Sequence, residues 1–503
     1  MTTTAQQSGR VQRVVIAGGG TAGWMTAAAF GKLLGKQLDI TLVESDQIGT
    51  IGVGEATIPT LHLFHDVLGL TEADVMKATN ATFKLGIKFE NWRQKDQDYI
   101  HSFGYLGQDH WAAGFQHFWL KGQQLGFASQ IGDYCKEHIA CEAQRFAVSP
   151  NQDRNHALHL DATAYAKFLR EFSEKHGVKR VEGKIRAVDC FSDGDIAALQ
   201  MESGDVIEGD LFIDCTGFRG LLIEETLHAG YHDWSHWLPC DRALAVQTSS
   251  VESPIPYTRS IAHGAGWQWR IPLQTRVGNG LVYSSRFCSD DEARSTLLGN
   301  IEGETQTEPR AIKFRTGTRR KHWHRNCVAV GLSSGFIEPL ESTSIHLIQR
   351  SVLRLLQLFP YDGIESAVRD EFNEQSLMEM HNILDFIVLH YHVTERDDTP
   401  FWRHCKNMQI PDSLQHRLDM FLQSGRVYKH GAELFGEASW LQVMIGQGLL
   451  PQHYHPAVDV MSNDELQRFL ENIKTSFTKQ VAAWPKHEEF LQHYCPAKRA
   501  AMA

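Results

Sequence analysis

The sequence predicts an α/β fold, a Rossmann-type open sheet followed by a mostly helical C-terminal lobe. Two observations carry this. "RVVIAGGGTAGWMTAAAFGKLLG" reads as strand, glycine turn and helix, and "LDITLVES" reads as a second buried strand just beyond it. From about Gln349 onward the chain turns to helical periodicity and is rich in aromatics.

The glycine turn is the most informative element. Gly18, Gly20 and Gly23 form G-x-G-x-x-G between a strand and a helix, the context the motif requires. The first glycine permits the tight turn, the second lets backbone approach a pyrophosphate, and the third lets helix pack on sheet. The free N–H groups at the helix start favour an anion. Glu44 closes the next strand about 20 residues on, where a carboxylate takes a ribose hydroxyl. This pattern alone serves NAD and FAD equally. Two further segments favour the longer FAD: "DLFIDCTGF" ends a strand at Thr216-Gly217, and "NCVAVGLSSGF" ends another at Gly331 and Gly335. Further strands are expected in "VKRVEGKIRAVDC", and helices in "LDATAYAKFLREFSEKHG", "SIHLIQRSVLRLLQLF" and Glu365 to His392.

At 503 residues the chain exceeds one ordinary core. We expect a loose tail over 1–12, a nucleotide-binding lobe with an interwoven substrate-side sheet over 13–350, and a mostly helical substrate lobe over 351–503. The formal net charge of -11 argues against a nucleic-acid partner. Nine cysteines with no Cys-x-x-Cys pair fit free thiols in a reducing cytoplasm. No signal peptide or bilayer-spanning run is evident, so no membrane partner is expected. Of the 26 histidines, His322/His324, His390/His392 and His453/His455 are spaced by two with no acid or thiol in a recognised ligand pattern, so no metal is expected.

Read together, five segments resemble the flavin-dependent tryptophan halogenase family: "GGGTAGWMTAAA", "IGVGEATIPTL", "FKLGIKFENW" (Phe83 to Trp92), "GWQWRIP" (Gly266 to Pro272) and "GFIEPLESTSI". The resemblance runs from about residue 13 to 350. Its specific parts are W-x-W-x-I-P and the lysine segment F-K-x-x-I-x-F-x-x-W. It implies an FAD-binding, flavin-monooxygenase-like fold. It also implies an enzyme using reduced FAD, oxygen and halide to make hypohalous acid, which reaches an aromatic substrate through a lysine and a glutamate. Those residues would be Lys84 and Glu341. Flavin contacts are implied at Gly18, Gly19, Gly20, Thr21, Ala22, Gly23, Glu44, Ser45, Val53, Gly54, Glu55, Ala56, Gly217, Leu332, Ser342 and Ile345. Halide is implied on the backbone of Thr343 and Ser344. A separate NAD(P)H-dependent flavin reductase is implied as partner, since no second dinucleotide fingerprint appears. A homodimer is the assembly to test.

The residues themselves leave bland alternatives. Lys84 could be a solvated surface lysine with Lys88 as its twin one helical turn away. Only the family pattern selects Lys84. A buried lysine would have an accessible neutral form and could donate to a hypohalous oxygen. Glu341 could be a helix-end acid beside the caps Ser342, Thr343 and Ser344. The same free amides also make an anion site. Trp267 and Trp269, two apart on a strand, share one face, as a core pair or as a wall between substrate and flavin.

Two departures from the family stand out. Ser344 replaces the usual glycine, and its Cβ is expected to reshape the halide pocket in favour of bromide over chloride. Ser439-Trp440 stands where tryptophan-specific members carry a tyrosine pair, so the expected substrate is an indole-type aromatic without a held amino-acid backbone, with Trp440 able to stack it. The competing readings are a flavin-dependent aromatic hydroxylase and a non-catalytic flavin-binding protein. Gly331-Leu332, where such hydroxylases often carry Gly-Asp, argues against the first.

Overall fold

The computed structural model describes residues 9–48, 54–111, 113–148 and 154–496. Most of the expected tail and Val53 lie outside these. The chain divides into two compact units, each assembled from three separated stretches. The first takes residues 1–79, 160–236 and 314–380, and the second takes 80–159, 237–313 and 381–503.

The first unit is built on a parallel sheet. Strands Cys327–Ala329, Leu211–Asp214, Arg13–Ala17, Asp39–Glu44 and Lys179–Glu182 lie side by side in that order. The short strand Trp323–His324 adds antiparallel at the edge. These central strands are near-continuous apolar runs, as expected where helices cover both faces. Helix Thr21–Leu34 is buried over most of its length, because "GWMTAAAFG" places small side chains where it meets the sheet. Helix Ala162–Lys175 starts at Asp161, whose carboxylate accepts from the N–H of Ala164 at 3.0 Å. The expected "VKRVEGKIRAVDC" strand is two strands, Lys179–Glu182 and Ile185–Cys190, broken at Gly183 with φ +147°. The second joins Ile196–Met201 and Val206–Glu208 in a separate antiparallel sheet.

The second unit carries a seven-stranded sheet in the order Arg310–Lys313, Arg242–Thr248, Val277–Tyr283, Gly266–Pro272, Thr258–His263, Gly86–Glu90 and Asp98–Ser102. Only the pair Thr258–His263 with Gly86–Glu90 is parallel. Beyond Gly335–Phe336 the described chain is helical, including the 27-residue helix Ser366–His392. His390 and His392 both lie on that helix, where a spacing of two turns side chains to different faces. Among the described residues no helix is long and apolar enough to cross a membrane. All nine cysteines are free thiols.

Candidate functional site

In the first unit three strand ends converge. The N–H of Gly18 donates to the carbonyl of Val43 at 2.8 Å, and φ at Gly18 is +110°, so the turn needs glycine. A Cβ at Gly18 would sit 2.3 Å from the carbonyl oxygen of Cys215, and one at Gly23 would sit 1.8 Å from that of Gly18. A Cβ at Gly20 would meet nothing within 4 Å among the described residues. Two of the three glycines thus serve close protein packing, while the middle one faces open space, as a pyrophosphate approach requires. Helix Thr21–Leu34 starts at Gly20 with no side-chain cap, which leaves its first N–H groups for a ligand.

Glu44 ends its strand above this turn. Its carboxylate accepts from Arg180 Nε at 2.6 Å and Trp24 Nε1 at 3.3 Å. A Cβ on Gly19 would strike the same carboxylate, so Glu44 lies directly against the turn. Ser45 follows it, buried, its hydroxyl 3.5 Å from Glu182. The turn at Thr216-Gly217 is held by Asp214, a residue the sequence reading passed over. This buried carboxylate accepts from the N–H groups of Thr216, Leu222 and Ile223 at 2.8–2.9 Å. Gly217 takes φ +75°. Gly331, at φ +73°, leads into the turn carrying Leu332, and a Cβ there would meet Ala22 at 2.7 Å. The third strand end therefore closes onto the first helix. Gly54, Glu55 and Ala56 form a short strand, and burial raises the Glu55 carboxyl to about 7.

The segment "EPLESTSI" completes this unit's site. Pro339–Glu341 is one 3-10 turn, closed by the N–H of Ser342 on the carbonyl of Pro339. Ser342 takes φ +61°, a left-handed conformation costing about 1 kcal/mol for a residue with a Cβ. That bend lets helix Ser344–Gln357 begin at once, with Thr343 at its N-cap. Glu341 is fully buried. Thr343 caps nothing with its side chain, and its buried hydroxyl oxygen has no hydrogen-bond partner among the described residues. Uncapped amides beside an orphaned buried hydroxyl are the donor set a halide needs. Ser344 and Ile345 are the first two residues of the helix.

The second unit holds Lys84, Trp267, Trp269 and Trp440. Lys84 and Lys88 are not twins on a helix. They lie on separate strands, Thr82–Lys84 and Gly86–Glu90. Lys88 is part-exposed and pairs with Asp98 at 2.6 Å, whereas Lys84 is 0% exposed with its Nζ 5.2 Å from the centre of the Phe103 ring. The Lys84 strand is tightly fixed. Thr82 donates to the carbonyl of Pro272 at 2.6 Å and meets His159 Nδ1 at 3.0 Å. Phe83, on the opposite face, stacks on Phe146 at 4.0 Å between ring centres. Burial, and then the Lys84 charge, push the His159 pKa well down.

Trp267 and Trp269 sit on the buried strand Gly266–Pro272, 6.2 Å apart between ring centres, on one face. Gly280 lies directly across from Trp269, and a Cβ there would come within 2.0 Å of the indole. Trp440 is buried in helix Glu437–Gly446, with Phe386 edge-on at 4.9 Å and the Arg417 guanidinium over its ring at 4.2 Å.

The tryptophan halogenase family model matches residues 13–463. Tryptophan 7-halogenase RebH of Lentzea aerocolonigenes is 34% identical, covering 96% of this chain and 99% of its own. Among solved structures, Xcc4156, a flavin-dependent halogenase from Xanthomonas campestris, is 57% identical with a TM-score of 0.96, covering 98% of this chain and 100% of its own. BrvH, a flavin-dependent halogenase from Brevundimonas sp. BAL3, is 45% identical with a TM-score of 0.92, covering 97% and 100%.

Proposed function

Since this chain belongs to the tryptophan halogenase family, flavin-dependent enzymes that use reduced FAD, we propose that it halogenates an indole-type aromatic through Lys84 and Glu341, with bromide preferred to chloride. The observation that carries the reading is Lys84: a fully buried lysine on a strand fixed by Thr82, while Lys88 is part-exposed and tied to Asp98.

When bound, reduced FAD supplies, with oxygen and halide, hypohalous acid. The protein's part is binding and proton handling. Gly18 to Gly23 and the free helix N–H groups cradle the pyrophosphate, and Glu44 takes a ribose hydroxyl. Ser45, Gly54, Glu55, Ala56, Gly217, Leu332, Ser342 and Ile345 supply the remaining flavin contacts. The amides of Thr343 and Ser344, with the Thr343 hydroxyl, hold the halide.

Lys84 donates a hydrogen bond to the oxygen of hypohalous acid. As the aromatic carbon attacks halogen, the O–X bond breaks, its electron pair stays on oxygen, and the Lys84 proton completes water. The Glu341 carboxylate stabilises the cationic ring and then takes the ring proton, restoring aromaticity. Trp267 and Trp269 wall the organic substrate from the flavin, and Trp440, backed by Phe386 and Arg417, lines the substrate side. Ser439-Trp440, in place of a tyrosine pair, supports a substrate without a clamped amino-acid backbone. Reduced FAD comes from a separate reductase by diffusion, and nine free thiols support a cytoplasmic location.

The test is halide-dependent turnover of an indole panel, with bromide and chloride in competition and a reductase present. Lys84→Met and Glu341→Gln are expected to abolish or strongly reduce halogenation while FAD binding persists. Unchanged turnover in either variant overturns the mechanism. A clear chloride preference overturns the halide assignment, and a low KM for free tryptophan with indole untouched overturns the substrate assignment.

A further inference from the structure

Helix Ser344–Gln357 carries a stripe that the proposed mechanism does not use. His346, Arg350 and Arg354, at i, i+4 and i+8, face the same way, and all three meet one carboxylate, Glu379. Arg354 lies 2.7 Å from Oε2, Arg350 3.0 Å from Oε1 and His346 Nε2 3.3 Å from Oε1. Nε2 of His346 approaches the Glu379 carboxylate without a hydrogen bond to it, and has no hydrogen-bond partner among the described residues. The other ring nitrogen, Nδ1, lies 2.9 Å from the hydroxyl of Thr60. Gln349 of the same helix donates to the carbonyl of Thr60 at 2.8 Å. Thr60 thus carries two bonds from one helix, His346 is 4% exposed, and its ring spans Thr60 and Glu379.

The place of His346 matters more than its bonds. It is the third residue of the helix whose first turn begins at Ser344, directly after the left-handed Ser342. First-turn amides have no partner within the helix, so nothing in the helix itself fixes their aim. Thr60 lies four residues beyond Ala56, at the start of the helix Leu61–Leu68.

We infer that His346 is a positioning residue that ties the halide-binding turn Thr343-Ser344 to Thr60 by its Nδ1 hydrogen bond and seats its ring against the Glu379–arginine cluster, so that the amides stay aimed at the halide. This rests on the assignment of halide to Thr343 and Ser344. The clamp predicts a selective defect. His346→Ala raises the KM for bromide about tenfold, with the KM for the aromatic substrate unchanged. His346→Asn keeps a polar atom near Nδ1, where Thr60 bonds, and restores part of the loss. Thr60→Val removes only the hydroxyl and gives a weaker defect of the same kind, which serves if His346→Ala does not fold.

Halide KM is measured for each variant, and bromide is located by anomalous scattering in wild-type and variant crystals. A wild-type bromide peak at Thr343-Ser344 that weakens or moves in His346→Ala or Thr60→Val supports the inference. A wild-type peak there, unmoved in folded variants whose bromide KM is also unchanged, overturns the inference and leaves the halide assignment standing. A wild-type peak elsewhere overturns the halide assignment and the inference with it.

Discussion

Replacing Glu379 by glutamine is the sharpest stability test of the first unit. Burial alone raises a carboxyl, yet Glu379 is lowered from 4.5 to about 2 because the adjoining His346 and the hydrogen-bonded Arg354 favour the charged form. Each pKa unit is worth about 1.4 kcal/mol, so the ionised carboxylate contributes about 3 kcal/mol at neutral pH. Glutamine keeps the shape but not the charge, and it leaves Arg354, 4% exposed at its side chain, without its counter-ion. A depressed pKa gives stability that is fully present above 4.5 and lost as pH falls through about 2. The gap between wild type and Glu379→Gln is therefore expected to be about 3 kcal/mol at pH 7 and to shrink to about half by pH 3. Urea unfolding followed by circular dichroism at the two pH values, at fixed ionic strength, reads it. A gap under about 1 kcal/mol at pH 7, or one that does not shrink in acid, refutes the argument.

Three other outcomes follow from the same structure. Gly20→Ala, with open space around the added methyl, weakens FAD binding without destabilising the free protein, whereas Gly23→Ala, 1.8 Å from the Gly18 carbonyl, does both; flavin titration and thermal melts separate them. Gly280→Ala drives a methyl into the Trp269 indole and is expected to cost about 1–3 kcal/mol in denaturant unfolding. Glu55, raised from 4.5 to about 7, costs the folded state nothing below 4.5 and progressively more as pH rises to 7, so Glu55→Gln is expected to melt higher than wild type at pH 8 and to converge with it below pH 4.5.

What the sequence by itself determined is the local grammar. The glycine turn, Glu44 at the end of the next strand and the helices Ala162–Lys175, Ser344–Gln357 and Ser366–His392 were legible, because strand and helix periods and turn glycines act over a few residues. The strand ends at Gly217 and Gly331 were legible for the same reason. The family pattern selected Lys84, but the residues around it did not. A lysine at 84 and one at 88 look alike in sequence, and only packing buries the first and pairs the second with Asp98. Nothing in the sequence joined His346, Arg350 and Arg354 to Glu379, 25 residues past Arg354, or His346 to Thr60, 286 residues before it. The orphaned hydroxyl of Thr343 and the different environments of Gly20 and Gly23 likewise exist only once distant segments meet. Desolvation and close approach are properties of neighbours in space, and the tertiary structure alone decides which residues those are.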